Sequence, residues 1–296
     1  MKRNQTITLH DNRIIGYSIY GDENGIPLFL FHGTPGSRIW FLENDELAFK
    51  LGICLIAIDR PGYGLSDEKK GRKIIDFVED LKEFSKKLNV DHFTILGVSG
   101  GAAYAAACAY ALPTRVKAVA MVSSATPFPS GIPPRNMTFK NKIVFLLSKY
   151  FPMFLHYLSY LEKNILDKNP NKYKRLLQKN IVHLSDWDKE VLTNKHVVET
   201  NILHIQEAYR RGVKEVVYET QLLTKPWGFN LKEIEVPIDL YHGEDDTLSP
   251  LNEVRKMVVE LSSCKPYFIP KGGHFLMENK NIWEKILKNL KVHHEN

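Results

Sequence analysis

The sequence predicts an α/β protein built on a mostly parallel sheet, interrupted by a helical insertion. Three observations carry this reading. Through the first half of the chain, short apolar runs alternate with segments of helical periodicity, the pattern of parallel strands joined by crossover helices. After Ser123-Ser124 the alternation stops, and about a hundred residues with helical periodicity and little strand character follow. At Pro237 the strand–helix rhythm resumes and runs to the end of the chain.

The elements follow in order. Residues 7–10 form a short strand, joined through Asp11-Asn12-Arg13 to a strand over 14–20 as an antiparallel edge hairpin. Residues 28–31 are strand-like, 40–51 helix-like, 53–58 strand-like and 74–88 helix-like. A strand over 93–98 leads into an alanine-rich helix over 102–112, followed by a strand over 116–122. Prolines at 127, 129, 133 and 134 mark the break into the insertion. Beyond it lie a strand over 237–241, a helix over 251–261, a strand over 267–269 and a terminal helix near 282–290. Inside the insertion, residues 143–161 are apolar and aromatic. Lys149, Pro152 and His156 interrupt that stretch, so a pair of short helices closing over a pocket is expected in place of a membrane span.

With 296 residues, the chain is long enough for one large α/β domain with an insertion, or for two smaller domains. Hydrophobic residues at 44% and charged residues at 25% are ordinary for a globular protein. The basic N-terminus is followed by no apolar signal region. Cys54, Cys108 and Cys264 are far apart, odd in number and without metal-ligand spacing, so reduced structural thiols in a cytoplasmic protein are expected. The net charge of +6 is concentrated. Residues 131–225 hold 16 Lys and Arg against 9 Asp and Glu. No nucleic-acid-binding motif accompanies this excess, which reads as a solvated helical face.

Chemistry enters with Gly97-Val98-Ser99-Gly100-Gly101. A serine on a sharp turn between a strand and a helix leaves no room for side chains beside it, so small residues must flank it. The turn presents the Ser99 hydroxyl, and the Gly100 amide lies at a helix N-terminus, where negative charge is favoured. That is a nucleophile beside half of an oxyanion hole. Acyl transfer further needs a base, an orienting acid and a second oxyanion donor, each in a loop at the C-terminal end of a strand. His32-Gly33-Thr34-Pro35-Gly36-Ser37 follows the strand over 28–31 and supplies the Thr34 amide, with His32 itself a buried hydrogen-bonding residue. The loop from Gly243 to Pro250 offers three adjacent acids. Asp246, three residues after Gly243 and four before Pro250, is the assigned acid, with Asp245 the alternative and His242 structural. Lys271-Gly272-Gly273-His274 supplies the base, because the glycine pair frees the loop to bring an imidazole over the serine. The other histidines default to solvated or helix-face roles.

The order Ser99, Asp246, His274 is that of one fold in particular. With the motifs at 32–36, at 59–66 (Asp-Arg-Pro-Gly-Tyr-Gly-Leu-Ser), at 97–101 and around 243–250 and 273–274, the chain resembles the α/β-hydrolase superfamily. The resemblance covers nearly everything outside the insertion. It implies an eight-stranded, mostly parallel sheet (a core of residues 1–126 and 227–296) with a helical cap, residues 127–226, inserted after the sixth strand. It also implies that the segment 59–66 is a structural turn shaping the oxyanion loop, with Asp59 and Arg60 as local ion-pair and hydrogen-bonding residues. A serine nucleophile sets the chain apart from the haloalkane dehalogenases and epoxide hydrolases of this fold, which use aspartate. Thr34 and Val98 set it apart from the proline iminopeptidases.

The expectation is therefore a carboxylesterase-like serine hydrolase for a small or medium apolar ester, working without metal or organic cofactor. The alternatives are another serine-dependent activity of the fold (C–C bond, amide or aminopeptidase hydrolysis, or perhydrolysis) or a non-catalytic ligand-binding relative. The partner is a small-molecule ester, with no nucleic acid and no stable membrane span. The sequence names neither the substrate nor the oligomeric state.

Overall fold

The computed structural model describes residues 2–39, 45–128 and 130–295. Its chain order begins with strands β1 (Lys2–Thr8), β2 (Ile14–Gly21) and β3 (Ile26–Phe31), then helix α1 (Asp45–Lys50), β4 (Ile53–Ile58) and α2 (Phe77–Lys87). There follow β5 (Phe93–Val98), α3 (Gly101–Ala111) and β6 (Val116–Val122). Six helices come next: α4 (Phe139–Tyr150), α5 (Pro152–Lys168), α6 (Pro170–Asn180), α7 (Asp186–Val191), α8 (Lys195–Ala208) and α9 (Lys214–Leu223). The chain closes with β7 (Ile238–Gly243), α10 (Leu251–Glu260), β8 (Cys264–Ile269) and α11 (Lys280–Glu295).

The eight strands make one sheet in the order β1-β2-β4-β3-β5-β6-β7-β8. β1 and β2 pair antiparallel, as does β2 with β4, and the remaining pairs are parallel. The edge hairpin begins earlier than the sequence predicts, because β1 spans Lys2–Thr8 and not 7–10. β8 is likewise longer than 267–269. Its pairing with β7 recruits Cys264, Lys265 and Pro266 at positions without strand periodicity. Of the helix expected over 40–51, residues 40–44 lie outside the described residues, as does Pro129.

The central strands β4 and β5 are buried at every position, as strands covered on both faces must be. Side chains alternate between two cores. In β3, Phe29 and Phe31 join α2, α3 and α10 on one face. Leu28 and Leu30 face the other way, with Trp283, Ile286, Leu287 and Leu290 of α11. Helix α3 has no polar face. Its alanines let it lie against the sheet, and all of its residues from Gly101 to Ala109 are buried.

The apolar stretch 143–161 is two helices, broken at Phe151-Pro152, where Pro152 opens α5. Among the described residues no helix is long and apolar enough to cross a membrane. The three cysteines are free thiols, two of them buried, and burial pushes Cys54 up to about 11 and Cys264 up to about 12.

Candidate active site

The order of the strands sets where the loops meet. After β3 the chain adds β4 on one side and then β5 on the other, so the loops leaving the carboxyl ends of β3 and β5 diverge around a crevice. Phe31 is in register with Gly97, which puts the Gly33-Thr34 turn beside Ser99-Gly100.

Ser99 occupies a left-handed conformation, φ 52°. A non-glycine residue is strained there by about 1–3 kcal/mol, and the surrounding structure must hold it. Its amide bonds the Val122 carbonyl at 2.9 Å, and its own carbonyl accepts from Ala102 and Ala125 at 3.0 and 3.1 Å. The flanking glycines are demanded by close approach. A Cβ on Gly97 would lie 2.6 Å from the Gly101 carbonyl oxygen, and one on Gly101 would strike the carbonyls of Phe31 and His32. Gly100 and Thr34 both line one cavity. Among the described residues, neither amide donates to another backbone group. A Cβ on Gly100 would collide with the Thr34 hydroxyl oxygen, so the two turns touch.

On the far side of the crevice, the pairing of β7 with β8 ends at Gly243 opposite Ile269. A side chain on Gly243 would collide with the Gly272 and Gly273 carbonyls. The Asp245 amide bonds the Gly272 carbonyl at 2.9 Å. The two loops are thus joined along their backbones, and Asp246 Oδ2 lies 2.8 Å from His274 Nδ1. Asp246 is buried, while Glu244 and Asp245 face solvent. Its other oxygen accepts the amides of Leu248 and Ser249 at 2.8 and 2.9 Å. Burial alone would raise the Asp246 carboxyl. The charge and hydrogen bond of His274, then His242 and the Ser249 amide, hold it below its ordinary value. For His274, burial works to lower the imidazole, and the charge and hydrogen bond of Asp246, aided by Asp188, outweigh it and leave it raised. The Asp246 carboxylate therefore favours the imidazolium form of His274.

Ser99 and His274 line the same cavity of about 210 Å³. Among the described residues the Ser99 hydroxyl makes no hydrogen bond, and the His274 ring bonds Asp246. The remaining wall is largely apolar. Phe128, Met137 and Phe145 come from the chain after β6, Leu223 from α9 and Leu248 from the acid loop. Its polar members include Asn141 and Thr220.

Several residues that shape this site escaped the sequence reading. His274 is anchored by the Ser123 hydroxyl, which donates to its carbonyl at 2.7 Å. Asp188 of α7 accepts the neighbouring Phe275 amide at 2.9 Å. Arg60 is not locally paired. It is completely buried, and its guanidinium meets Glu219 of α9 at 2.8 and 3.0 Å. It also holds the carbonyls of His32 and Gly33. Glu219 in turn accepts from the Thr34 hydroxyl at 2.6 Å and from the Tyr63 hydroxyl at 2.9 Å. Burial would raise Glu219, yet Arg60, and Arg72 after it, hold it well down as the carboxylate. The Gly33-Thr34 turn is therefore fastened from behind by an ion pair between β4's end and the insertion. Asp59 makes hydrogen bonds within the 59–66 turn, but its ion pair reaches back 21 positions. It pairs with Arg38 at 2.7 Å and accepts the Leu65 amide at 2.9 Å. His32 is buried and bonded at 2.8 Å to the Gly33 carbonyl. His242 is buried beside Asp246, with Nε2 3.0 Å from the Ser249 carbonyl. His204, expected on a helix face, is buried instead, and burial lowers it to about 3.

Comparison with known proteins places this arrangement. Over 253 residues the chain is 23% identical to a 2-hydroxy-6-oxononadienedioate/2-hydroxy-6-oxononatrienedioate hydrolase of Paraburkholderia phymatum, covering 84% of this chain and 80% of that protein. Its structure resembles an esterase from Exiguobacterium antarcticum with a TM-score of 0.69 at 16% identity, over the whole of both chains. It resembles a bromoperoxidase from Bacillus anthracis with a TM-score of 0.70 at 19% identity, over 99% of this chain and 100% of the other. A family model described as the alpha/beta hydrolase fold matches residues 26–281. The sheet order and this match together mean that the chain belongs to the α/β-hydrolase superfamily, as a hydrolase of that fold.

Proposed function

We propose that the protein is a serine hydrolase that cleaves carboxylic esters of small or medium apolar groups through an acyl-enzyme. Ser99 is the nucleophile, His274 the base and Asp246 the acid that orients it. The amides of Thr34 and Gly100 receive the oxyanion. Residues 127–226 act as a cap over a core of residues 1–126 and 227–296. The observation that carries the reading is the buried Asp246–His274 pair at 2.8 Å, sharing one cavity with a serine held at positive φ.

In the first step, the Ser99 oxygen attacks the ester carbonyl as its proton passes to His274 Nε2. Asp246 keeps the Nδ1–H tautomer and balances the imidazolium. The two amides, free of backbone partners, stabilise the tetrahedral oxygen, each contributing on the order of 10²–10³ in rate. His274 then protonates the leaving alcohol, and water repeats the sequence in reverse to release the acid.

The cavity favours esters over the dicarboxylate named for the Paraburkholderia relative. Among the described residues that line it there is no Lys or Arg to receive a carboxylate. Arg60 and Arg72 are buried behind the wall against Glu219 and Glu215. A volume of about 210 Å³ suits a group somewhat larger than benzene, which fits in roughly 150 Å³.

A fluorophosphonate probe should label wild type and leave Ser99→Ala unlabelled. Ser99→Ala should lower kcat on p-nitrophenyl acetate and butyrate by about 10⁴–10⁶-fold. Short-chain esters should be turned over faster than decanoate, and faster than amides or 1,5-diketones. Folded wild type that takes up no probe would refute the catalytic assignment, and preference for a diketone would move the activity to C–C bond hydrolysis.

A further inference from the structure

The helices that follow the first part of the insertion expose a ridge that the fold leaves uncovered. On α4, Phe139, Ile143, Leu146 and Tyr150 are exposed. Their spacing puts them on one helical face. The opposite face of the same helix, with Asn141, Val144 and Phe145, lines the cavity beside Ser99. On α5, Met153, Phe154, Tyr157, Leu158 and Leu161 are exposed as well, Met153 to 80%. The two helices pack together as a hairpin. Soluble surfaces carry scattered apolar residues, but a two-helix ridge of this kind marks a binding face.

Charge selects the occupant. Lys140, Lys142 and Lys149 lie on α4, and Lys163 and Lys168 on α5, against Glu162 and Asp167 alone. The neighbouring α6 adds Lys172, Lys174, Arg175 and Lys179 with no acid. The basic excess of the whole chain is confined to this insertion. An apolar ridge with aromatic rings, set among lysines, matches the boundary between acyl chains and acidic headgroups. Tyrosines 150, 157 and 160, all exposed, suit the headgroup level. A second copy of the chain would bring two equally basic ridges together, which like-charge repulsion disfavours.

We propose that the α4–α5 hairpin docks on an anionic phospholipid bilayer, lying in its interface without crossing it. The binding does not depend on the catalytic assignment. Where that assignment holds, docking sets the inner face of α4, and with it the cavity, next to the lipid surface.

The test is flotation of the full chain with vesicles of phosphatidylcholine alone and of phosphatidylcholine and phosphatidylglycerol at 7:3. Wild type should bind the anionic vesicles at least tenfold more tightly than the neutral ones. Raising sodium chloride from 50 to 300 mM should weaken that binding several-fold, since salt screens the lysines. The triple variant Met153→Ser/Phe154→Ser/Tyr157→Ser changes exposed side chains only. It should keep its circular dichroism and its activity on a soluble ester while losing at least tenfold in vesicle binding. Lys140→Gln/Lys168→Gln should reduce the preference for anionic vesicles. Ser99→Ala should float as wild type does, so loss of the hydrolase reading leaves the binding result standing. Wild type that stays off anionic vesicles, or a triple variant that binds them as well as wild type, overturns the proposal. So does a dimer seen by light scattering that the triple variant abolishes in the absence of vesicle binding, which would assign the ridge to a second copy.

Discussion

The carboxylate of Asp188 shows how a single residue can tune a site from another element. One of its oxygens accepts the Phe275 amide, and the other is buried without a hydrogen-bond partner. A side chain on Gly273 would strike Asp188 and Ser185, so the loop before His274 lies directly on α7. After Asp246, the charge of Asp188 helps to hold His274 above its ordinary value. In the proposed mechanism only neutral His274 accepts the serine proton. The acid limb of the kcat/KM profile is therefore expected above the usual histidine value of 6.5. Asp188→Asn keeps the amide acceptor and the volume but removes a charge that favours imidazolium. His274 should then deprotonate at lower pH, and the acid limb should move down, as measured from pH–rate profiles on a neutral ester. A profile that falls in rate without moving along the pH axis would make Asp188 merely structural. In the sequence Asp188 is one of several acids in a helical insertion. Its role depends on a contact with a loop far along the chain, which periodicity does not carry.

At the scale of elements, the contact of α9 with the loops after β3 and β4 decides how firmly the Gly33-Thr34 turn, the proposed oxyanion turn, is held. Glu219 is fully buried and meets Arg60 at 2.8 Å, with Arg72 at 3.6 Å. The guanidinium of Arg60 also lies 4.9 Å over the Tyr104 ring. Such a pair gives little net stability against a well-packed apolar substitute, but breaking one side leaves buried charge without a partner. Glu219→Gln should destabilise the fold by about 3–5 kcal/mol, read as a lower urea midpoint. It should also lower kcat more than it raises KM, because the Thr34 turn loses its anchor while the apolar cavity wall stays. An unchanged kcat in the folded variant would detach the ion pair from the proposed oxyanion function of the Thr34 turn. Arg60 stood out in the sequence within the segment 59–66, but its partner did not. Local ion pairs can be read from spacing, whereas this one joins residues 159 positions apart.

At the scale of the whole molecule, the joint between insertion and core should leave a signature in the pH dependence of stability. Burial pushes the Glu215 carboxyl up to about 7, against the pull of Arg72 and with the push of Glu219. Its unfolded value is near 4.5, so between those two values the folded state binds the extra proton. Stability from this group therefore falls as pH rises through that window. Glu215→Gln removes the proton uptake. Wild type should lose stability relative to the variant between pH 5 and pH 8, measured by urea denaturation at both values. An equal difference at the two pH values would mean that Glu215 does not titrate in that range.

Much of the molecule was legible before any coordinates. The turn at Ser99, the alanine-rich α3 behind it and the strands β3 to β6 were written in small residues and apolar periods, because steric fit and side-chain alternation act over a few residues. The order of Ser99, Asp246 and His274 pointed to one topology for the same reason: each had to follow a strand. What the sequence by itself determined is this α/β framework and the set of residues that the reading places at its strand ends. The tertiary structure alone decided that Glu219 and Asp188 lie against the loops on the two sides of the crevice, how large the cavity is and which face of α4–α5 stays bare. Those outcomes depend on which charges are desolvated together and which surfaces meet, and both are settled only when segments a hundred residues apart come into contact.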